Sequence, residues 1–114
     1  MFKILTILLL LTTSQLYSQP YITPASQTVC YGDNYNTLTL QNNTKPIVRW
    51  EMSVTGSDPW ITIINQTINL SFNDLTTNTW FRAVVRAEGE LEQYSASAVV
   101  NVSSKAVPGI ISGT

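Results

Sequence analysis

The chain has 114 residues and a mass of 12.7 kDa, a size that suits one small domain. Hydrophobic residues make up 44% of it, enough for a packed core, whereas charged residues make up only 11% and the net charge is −1. Because it contains no histidine and one cysteine, Cys30, the sequence excludes a Ser-His-Asp or Cys-His triad, a typical zinc site and an internal disulfide.

The first 18 residues are predicted to be a secretory signal peptide. Lys3 gives a positive start, residues 4–11 form an apolar run broken only by Thr6, and residues 12–18 are rich in polar and small residues. The apolar run is too short to span a bilayer, which takes ~20 helical residues. Cleavage after Ser18 removes Lys3 and no acidic residue, which leaves five basic and seven acidic residues and a charge of −2. We therefore expect export, no transmembrane segment in the mature protein and no nucleic-acid partner.

Residues 19–104 are predicted to form one β-sandwich domain. Residues 19–26 contain Pro20 and Pro24 and suit an extended lead-in. Short segments with alternating or apolar residues follow, separated by clusters of glycine, asparagine, aspartate and proline. They predict seven strands, at residues 28–31, 37–40, 46–53, 60–64, 67–72, 79–87 and 93–103.

The strand at residues 46–53 gives the clearest alternation. Val48, Trp50 and Met52 share one face, while the other face holds Ile47, Arg49 and Glu51. The charges mark that second face as solvent-exposed, so we expect Trp50 to point inward as the core anchor of the sandwich. An exposed sugar-stacking tryptophan is the alternative.

The last two predicted strands follow the same rule. Residues 79–87 place apolar side chains on one face and place Trp80 and Arg82 on the other. Residues 88–90 form the hairpin turn, and the final strand has five apolar or aromatic residues in register, at positions 94, 96, 98, 100 and 102. Seven short strands with no helical periodicity predict an all-β, immunoglobulin-like antiparallel sandwich.

Two tryptophans and one arginine are the candidate contact residues. Trp60 and Trp80 can stack on a sugar ring or anchor a protein partner, and Arg82 shares the face of Trp80. Local packing at one end of the sandwich is the alternative for both rings. The acidic residues at 88, 90 and 92 do not have the spacing of a calcium loop, so we interpret them as a solvated hairpin tip and predict no metal and no cofactor.

Five motifs in this order resemble the immunoglobulin-like repeats of surface proteins and adhesins from Bacteroidetes-type bacteria. They are Thr28-Val29-Cys30-Tyr31-Gly32, Thr37-Leu38-Thr39-Leu40, Val48-Arg49-Trp50-Glu51, Trp60 and Phe81-Arg82-Ala83-Val84-Val85. The resemblance covers residues 27–102, and residues 105–114 resemble a linker or the start of a following repeat. It implies a cysteine partner for Cys30 in the hairpin before the last strand, where this chain has Glu90. This chain therefore lacks a disulfide worth ~2–4 kcal/mol.

The resemblance implies a non-catalytic module of a secreted or cell-surface protein, acting in spacing, display or adhesion. Its partners would be a protein or glycan at the cell surface, together with neighbouring repeats if the chain is part of a longer array. A carbohydrate-binding module that uses Trp60 and Trp80 is the second hypothesis. No enzyme activity is expected, since no feature of the sequence places two acids across a cleft.

Overall fold

A computed structural model describes residues 19–104; the predicted signal peptide, residues 1–18, and the predicted linker, residues 105–114, lie outside the described residues. The described chain is all-β. Its nine strands are β1 Tyr21–Thr23, β2 Ser26–Val29, β3 Tyr35–Gln41, β4 Ile47–Ser53, β5 Ile61–Ile63, β6 Asn69–Asn73, β7 Thr79–Val85, β8 Gln93–Tyr94 and β9 Ala98–Val102. Within residues 19–104, no helix is long and apolar enough to cross a membrane.

The strands form two sheets. The small sheet has the order β1-β3-β6, and the large sheet has the order β2-β9-β7-β4-β5, with β8 paired to β7. Strands β2 and β9 are parallel, and the other pairs are antiparallel. The predicted immunoglobulin-like sandwich is confirmed, with nine strands where about seven were expected. The two additional strands are β1, within the expected lead-in, and β8, because the expected last strand is interrupted.

The core lies between the inner faces of the two sheets. Trp50 is fully buried there, and its indole Nε1 donates a hydrogen bond to the carbonyl oxygen of Thr67 at 2.9 Å. Phe72 of the small sheet and Phe81 of the large sheet stack with ring centroids 5.8 Å apart. The other buried apolar residues of this cluster are Ile22, Leu38, Leu40, Leu70, Ala83, Val85, Ala98 and Val100.

A bulge near the start of β4 changes the expected alternation. The pairing of β4 with β7 shifts between Ile47 and Arg49, so that Ile47 lies opposite the inward-facing Val85. Strict alternation predicts Ile47 on the outer face with Arg49, and this prediction is wrong. Since a bulge adds one residue to one strand, it reverses the side of every residue before it. Ile47 packs against the core instead.

A second irregularity divides the expected last strand. The pairing of β8 with β7 and that of β9 with β7 differ by one residue in register. Between them the Ser95 hydroxyl accepts a hydrogen bond from the backbone N–H of Ala83 at 2.9 Å, and the Ala96 N–H donates to the Pro20 carbonyl oxygen. The expectation that Tyr94 shares one face with Ala98 was therefore wrong. Tyr94 lies on the outer face, opposite Val84, and Ala98 lies on the inner face.

Candidate functional site

The outer face of the large sheet holds a cluster of aromatic and charged side chains, which we call the stacked-arginine face. It comprises Arg49 and Glu51 on β4, Trp60 before β5, Arg82 on β7, and Glu92 and Tyr94 at β8. Strand pairing places Glu51 beside Arg82. The face therefore assembles residues from four segments that are far apart in the sequence.

Arg82 is held between two aromatic rings. Its guanidinium carbon lies 4.0 Å from the centroid of the Trp60 ring and 3.9 Å from that of Tyr94. A guanidinium over an aromatic face gains ~0.5–2 kcal/mol, with the larger values where water is excluded. The Arg82 side chain is only 19% exposed. The two rings therefore fix the plane of the guanidinium and leave it little conformational freedom.

Glu51 is the buried centre of the charges. Its Oε1 accepts a hydrogen bond from Nε of Arg82, its Oε2 accepts one from Nε of Arg49, and both distances are 2.8 Å. The charges of β4 predict a solvent-exposed Glu51, and this prediction is wrong, since its side chain is only 8% exposed. A buried carboxylate is tolerated here because both oxygens are bonded to cations.

Arg49 extends the network towards the hairpin. Its Nη1 and Nη2 donate to the two carboxylate oxygens of Glu92, both at 3.0 Å, in a bidentate pair. Hydrogen bonding to Glu92 and then to Glu51 raises the pKa of Arg49 above its ordinary value. The bonds from Arg49 lower the pKa of Glu92. Both groups are therefore charged at neutral pH.

The same face keeps hydrogen-bonding groups that have no partner among residues 19–104. They are Nη1 and Nη2 of Arg82, Nε1 of Trp60 and the hydroxyl of Tyr94. None of the nitrogens is buried, since the one buried side-chain polar atom without a partner in this part of the chain belongs to Gln27. These groups can therefore bond to a ligand without breaking any contact inside the protein.

Trp80 serves a different role from Trp60. A Cβ placed on Gly56 would lie 3.1 Å from Cε2 of Trp80, so the loop after β4 packs closely on the indole. Gly56 also has a φ of +86°, a backbone conformation that favours glycine. Ser53 holds the same loop, because its hydroxyl donates to the Ser57 carbonyl oxygen at 2.6 Å. Of the predicted contact residues, the structure brings Trp60 and Arg82 together and places Trp80 under a loop.

Sequence reasoning missed Tyr94 and Glu92 as members of the face. Both follow the hairpin that was interpreted as a solvated acidic tip, in which Glu90 forms an ion pair with Lys45 at 3.2 Å. The sequence signal for Glu92 was only its negative charge, because its partner Arg49 lies on β4, which pairs with β7 and not with β8. No comparable signal existed for Tyr94, because its side of the sheet depends on the register shift.

Cys30 is exposed and free, and residues 19–104 contain no group of three or more potential metal ligands.

One comparison with known proteins finds a relationship. A family model described as a domain of unknown function, DUF8696, matches residues 20–104, which is nearly all of the described chain. No curated protein matches the chain.

Proposed function

Because this chain belongs to DUF8696, a family of domains of unknown function, we propose a function from its own surface: it is a non-catalytic, exported binding module that acts in adhesion or display. In this proposal the stacked-arginine face makes the contact, and the partner is a protein or glycan at a cell surface. The resemblance to bacterial surface repeats supports export and display, and the composition of the face supports contact.

The observation that carries the proposal is the fixed position of Arg82 between Trp60 and Tyr94. Tryptophan, tyrosine and arginine are the residue types most enriched at the energetic centres of protein interfaces. Tyr94 is 41% exposed although one of its faces lies on Arg82, so its exposed area is on the opposite face and edge. Binding to a face that is already ordered loses little conformational entropy, which favours affinity.

A carbohydrate-binding module is the second candidate, and the same rings favour it. Aromatic side chains on an open sheet face can stack on a sugar ring, and Nε1 of Trp60 and the Tyr94 hydroxyl remain available for sugar hydroxyls. Trp60 and Tyr94 would form this platform. Trp80, expected to share it, is covered on one side by the loop that contains Gly56.

Retention of protein-coated beads on surfaces tests the proposal. Beads carrying the full chain are passed over mucin, polysaccharide and protein coatings, and the retained fraction is counted. We expect retention on at least one coating, and a severalfold loss with Tyr94→Ser, which removes an exposed aromatic ring from the face. Cell fractionation of the producing bacterium tests export in parallel.

The matched control is Tyr35→Ser. Tyr35 is also an exposed tyrosine, 69% accessible, but it lies on β3 of the small sheet. The control variant should be retained as well as the wild type. Equal losses for both variants, or no retention on any coating, would refute contact through the stacked-arginine face.

A further inference from the structure

We propose that the stacked-arginine face binds a sugar carrying a carboxylate, such as a uronic acid, and that the terminal nitrogens of Arg82 recognise that carboxylate. This inference rests on the proposed function, because it names the ligand chemistry of the same face. It goes further in requiring a negative charge on the sugar.

The geometry of Arg82 leaves one edge of its guanidinium for a ligand. The guanidinium carbon lies 4.0 Å from the centroid of the Trp60 ring and 3.9 Å from that of the Tyr94 ring, and Nε is bonded to Glu51. Nη1 and Nη2 remain without a partner among the described residues and are not buried. Two parallel N–H groups in a fixed plane match the two oxygens of a carboxylate, as the pair between Arg49 and Glu92 shows on the same face.

The charges of the face also favour an anion. The guanidinium groups of Arg49 and Arg82 balance the carboxylates of Glu51 and Glu92 in number, and Arg86 adds a positive charge that acts on Glu92 from outside the face. Both oxygens of Glu51 are bonded to arginines, and both oxygens of Glu92 are bonded to Arg49. An incoming carboxylate therefore meets no unpaired acid within this network, although the mature chain is predicted to be negative overall.

The arrangement favours an acidic sugar over an acidic peptide. A uronic acid joins an apolar ring face to a carboxylate and several hydroxyls. The neighbouring Tyr94 offers an exposed aromatic surface for the ring, Arg82 offers the fork for the carboxylate, and Nε1 of Trp60 offers a donor for a hydroxyl. The carboxylate of an aspartate or glutamate side chain would bond to the two terminal nitrogens of Arg82. It would leave the exposed ring of Tyr94 and Nε1 of Trp60 without a matched contact.

Binding of the full chain to an oligogalacturonate, followed by calorimetry, tests the proposal. The same oligosaccharide with methyl-esterified carboxyl groups serves as a ligand control, and an oligoglutamate peptide serves as the acidic-peptide arm. We expect oligogalacturonate to bind and both the ester and the peptide to bind at least about tenfold more weakly, since a bidentate charged pair is lost or the ring contact is missing. Higher salt should weaken the binding that remains.

Variants then locate the contact. Arg82→Gln should weaken oligogalacturonate binding at least about tenfold, whereas Arg86→Gln, which removes the same charge from an unstacked position, should weaken it less than about threefold. Circular dichroism checks that each variant is folded. If Arg82→Gln unfolds, the comparison of oligogalacturonate with its methyl ester on the wild-type protein still tests whether the carboxylate is recognised.

Several results would overturn the inference. Equal binding of the methyl ester would make the face a neutral-sugar site, and tighter binding of oligoglutamate would make it a peptide site. Equal effects of Arg82→Gln and Arg86→Gln would reduce the interaction to general electrostatics. If no probe binds while bead retention still depends on Tyr94, the carboxylate sugar is wrong and the proposed contact function stands.

Discussion

The outer faces of the two sheets are held in order by different kinds of side-chain interaction. On the small sheet, neutral side chains bond to each other across strands: Thr37 to Ser71 at 2.9 Å, and Thr39 to Asn69 at 2.9 Å. Strands β1, β3 and β6 contain no acidic or basic residue. On the large sheet, the outer face is built from ion pairs and stacked rings.

The difference shows how a surface can be ordered and still available. The hydroxyl and amide groups of the small sheet are used in pairs between strands, so they stabilise the register and offer little further bonding. The large sheet orders Arg82 through Glu51, Trp60 and Tyr94, yet the terminal nitrogens of Arg82 keep their bonding capacity. We infer that the small sheet supports the fold and that the large sheet presents the contact face.

The largest effect is expected where both faces depend on one residue. Trp50→Ala should lower the free energy of unfolding by ~3–5 kcal/mol, because it leaves a cavity between the sheets and removes the bond to Thr67. A domain of this size has ~5–15 kcal/mol of stability, so the variant should be largely unfolded or close to it. Denaturant unfolding measures the loss.

Trp50→Phe is the control for this prediction. It keeps most of the apolar volume and gives up the hydrogen bond to the Thr67 carbonyl oxygen, so it should cost clearly less than Trp50→Ala. If Trp50→Ala melts within a few degrees of the wild type, the shared core does not depend on this ring.

A smaller effect should separate the two faces. Glu51→Gln replaces one carboxylate oxygen by an amide donor that faces an arginine, and it should cost about 2–3 kcal/mol. Its counterpart on the small sheet, Thr37→Val, removes one member of a neutral hydroxyl pair and should cost only ~0.5–1.5 kcal/mol. Thermal unfolding of both variants measures the difference.

Equal losses for Glu51→Gln and Thr37→Val would contradict the view that the charged network is the more strongly coupled face. A loss for Glu51→Gln near zero would mean that Arg49 and Arg82 are adequately solvated without it. In that case the order of the stacked-arginine face would depend on the aromatic rings alone.

Much of the sandwich can be predicted from the sequence, because the alternation of polar and apolar residues along a strand is a local property. The patterns at Trp50 and Met52 and at Phe81, Ala83 and Val85 correctly separate inner from outer positions, and turn residues mark the ends of most strands. Where the pattern failed, at Ile47 and Tyr94, one added residue reversed the alternation. A bulge depends on pairing between distant strands, which a single strand does not encode.

The candidate site was predictable only in part, for the same reason. Trp60 and Arg82 were singled out by residue type, and their approach to 4.0 Å depends on the neighbouring strands. Glu51 was recognised as an outer-face residue, but its burial was not foreseen. Burial of a charge is set by the long arginine side chains that cover it, and these come from two different strands.

The smallest expected effect is a change with pH in the stabilisation that Glu92 gives the outer face of the large sheet. The small sheet should show no such change. The two bonds from Arg49 lower the pKa of Glu92 in the folded protein from its ordinary 4.5. A carboxylate with a lowered folded-state pKa contributes its stabilisation fully above the unfolded-state value and loses it as the pH falls through the folded-state value. The difference in unfolding free energy between wild type and Glu92→Gln should therefore be constant from about pH 7 to about pH 5.5, and shrink as the pH falls below 4.5.

Thr37→Val is the matched control for that titration, since it alters a face whose strands have no carboxylate. Its cost should not change over the same acidic range. Unfolding of the three proteins at a series of pH values measures both differences. If the two costs change together on acidification, the pH dependence belongs to the net charge of the whole chain. The ion pair between Arg49 and Glu92 would then not be the cause of the acid-dependent loss of unfolding free energy.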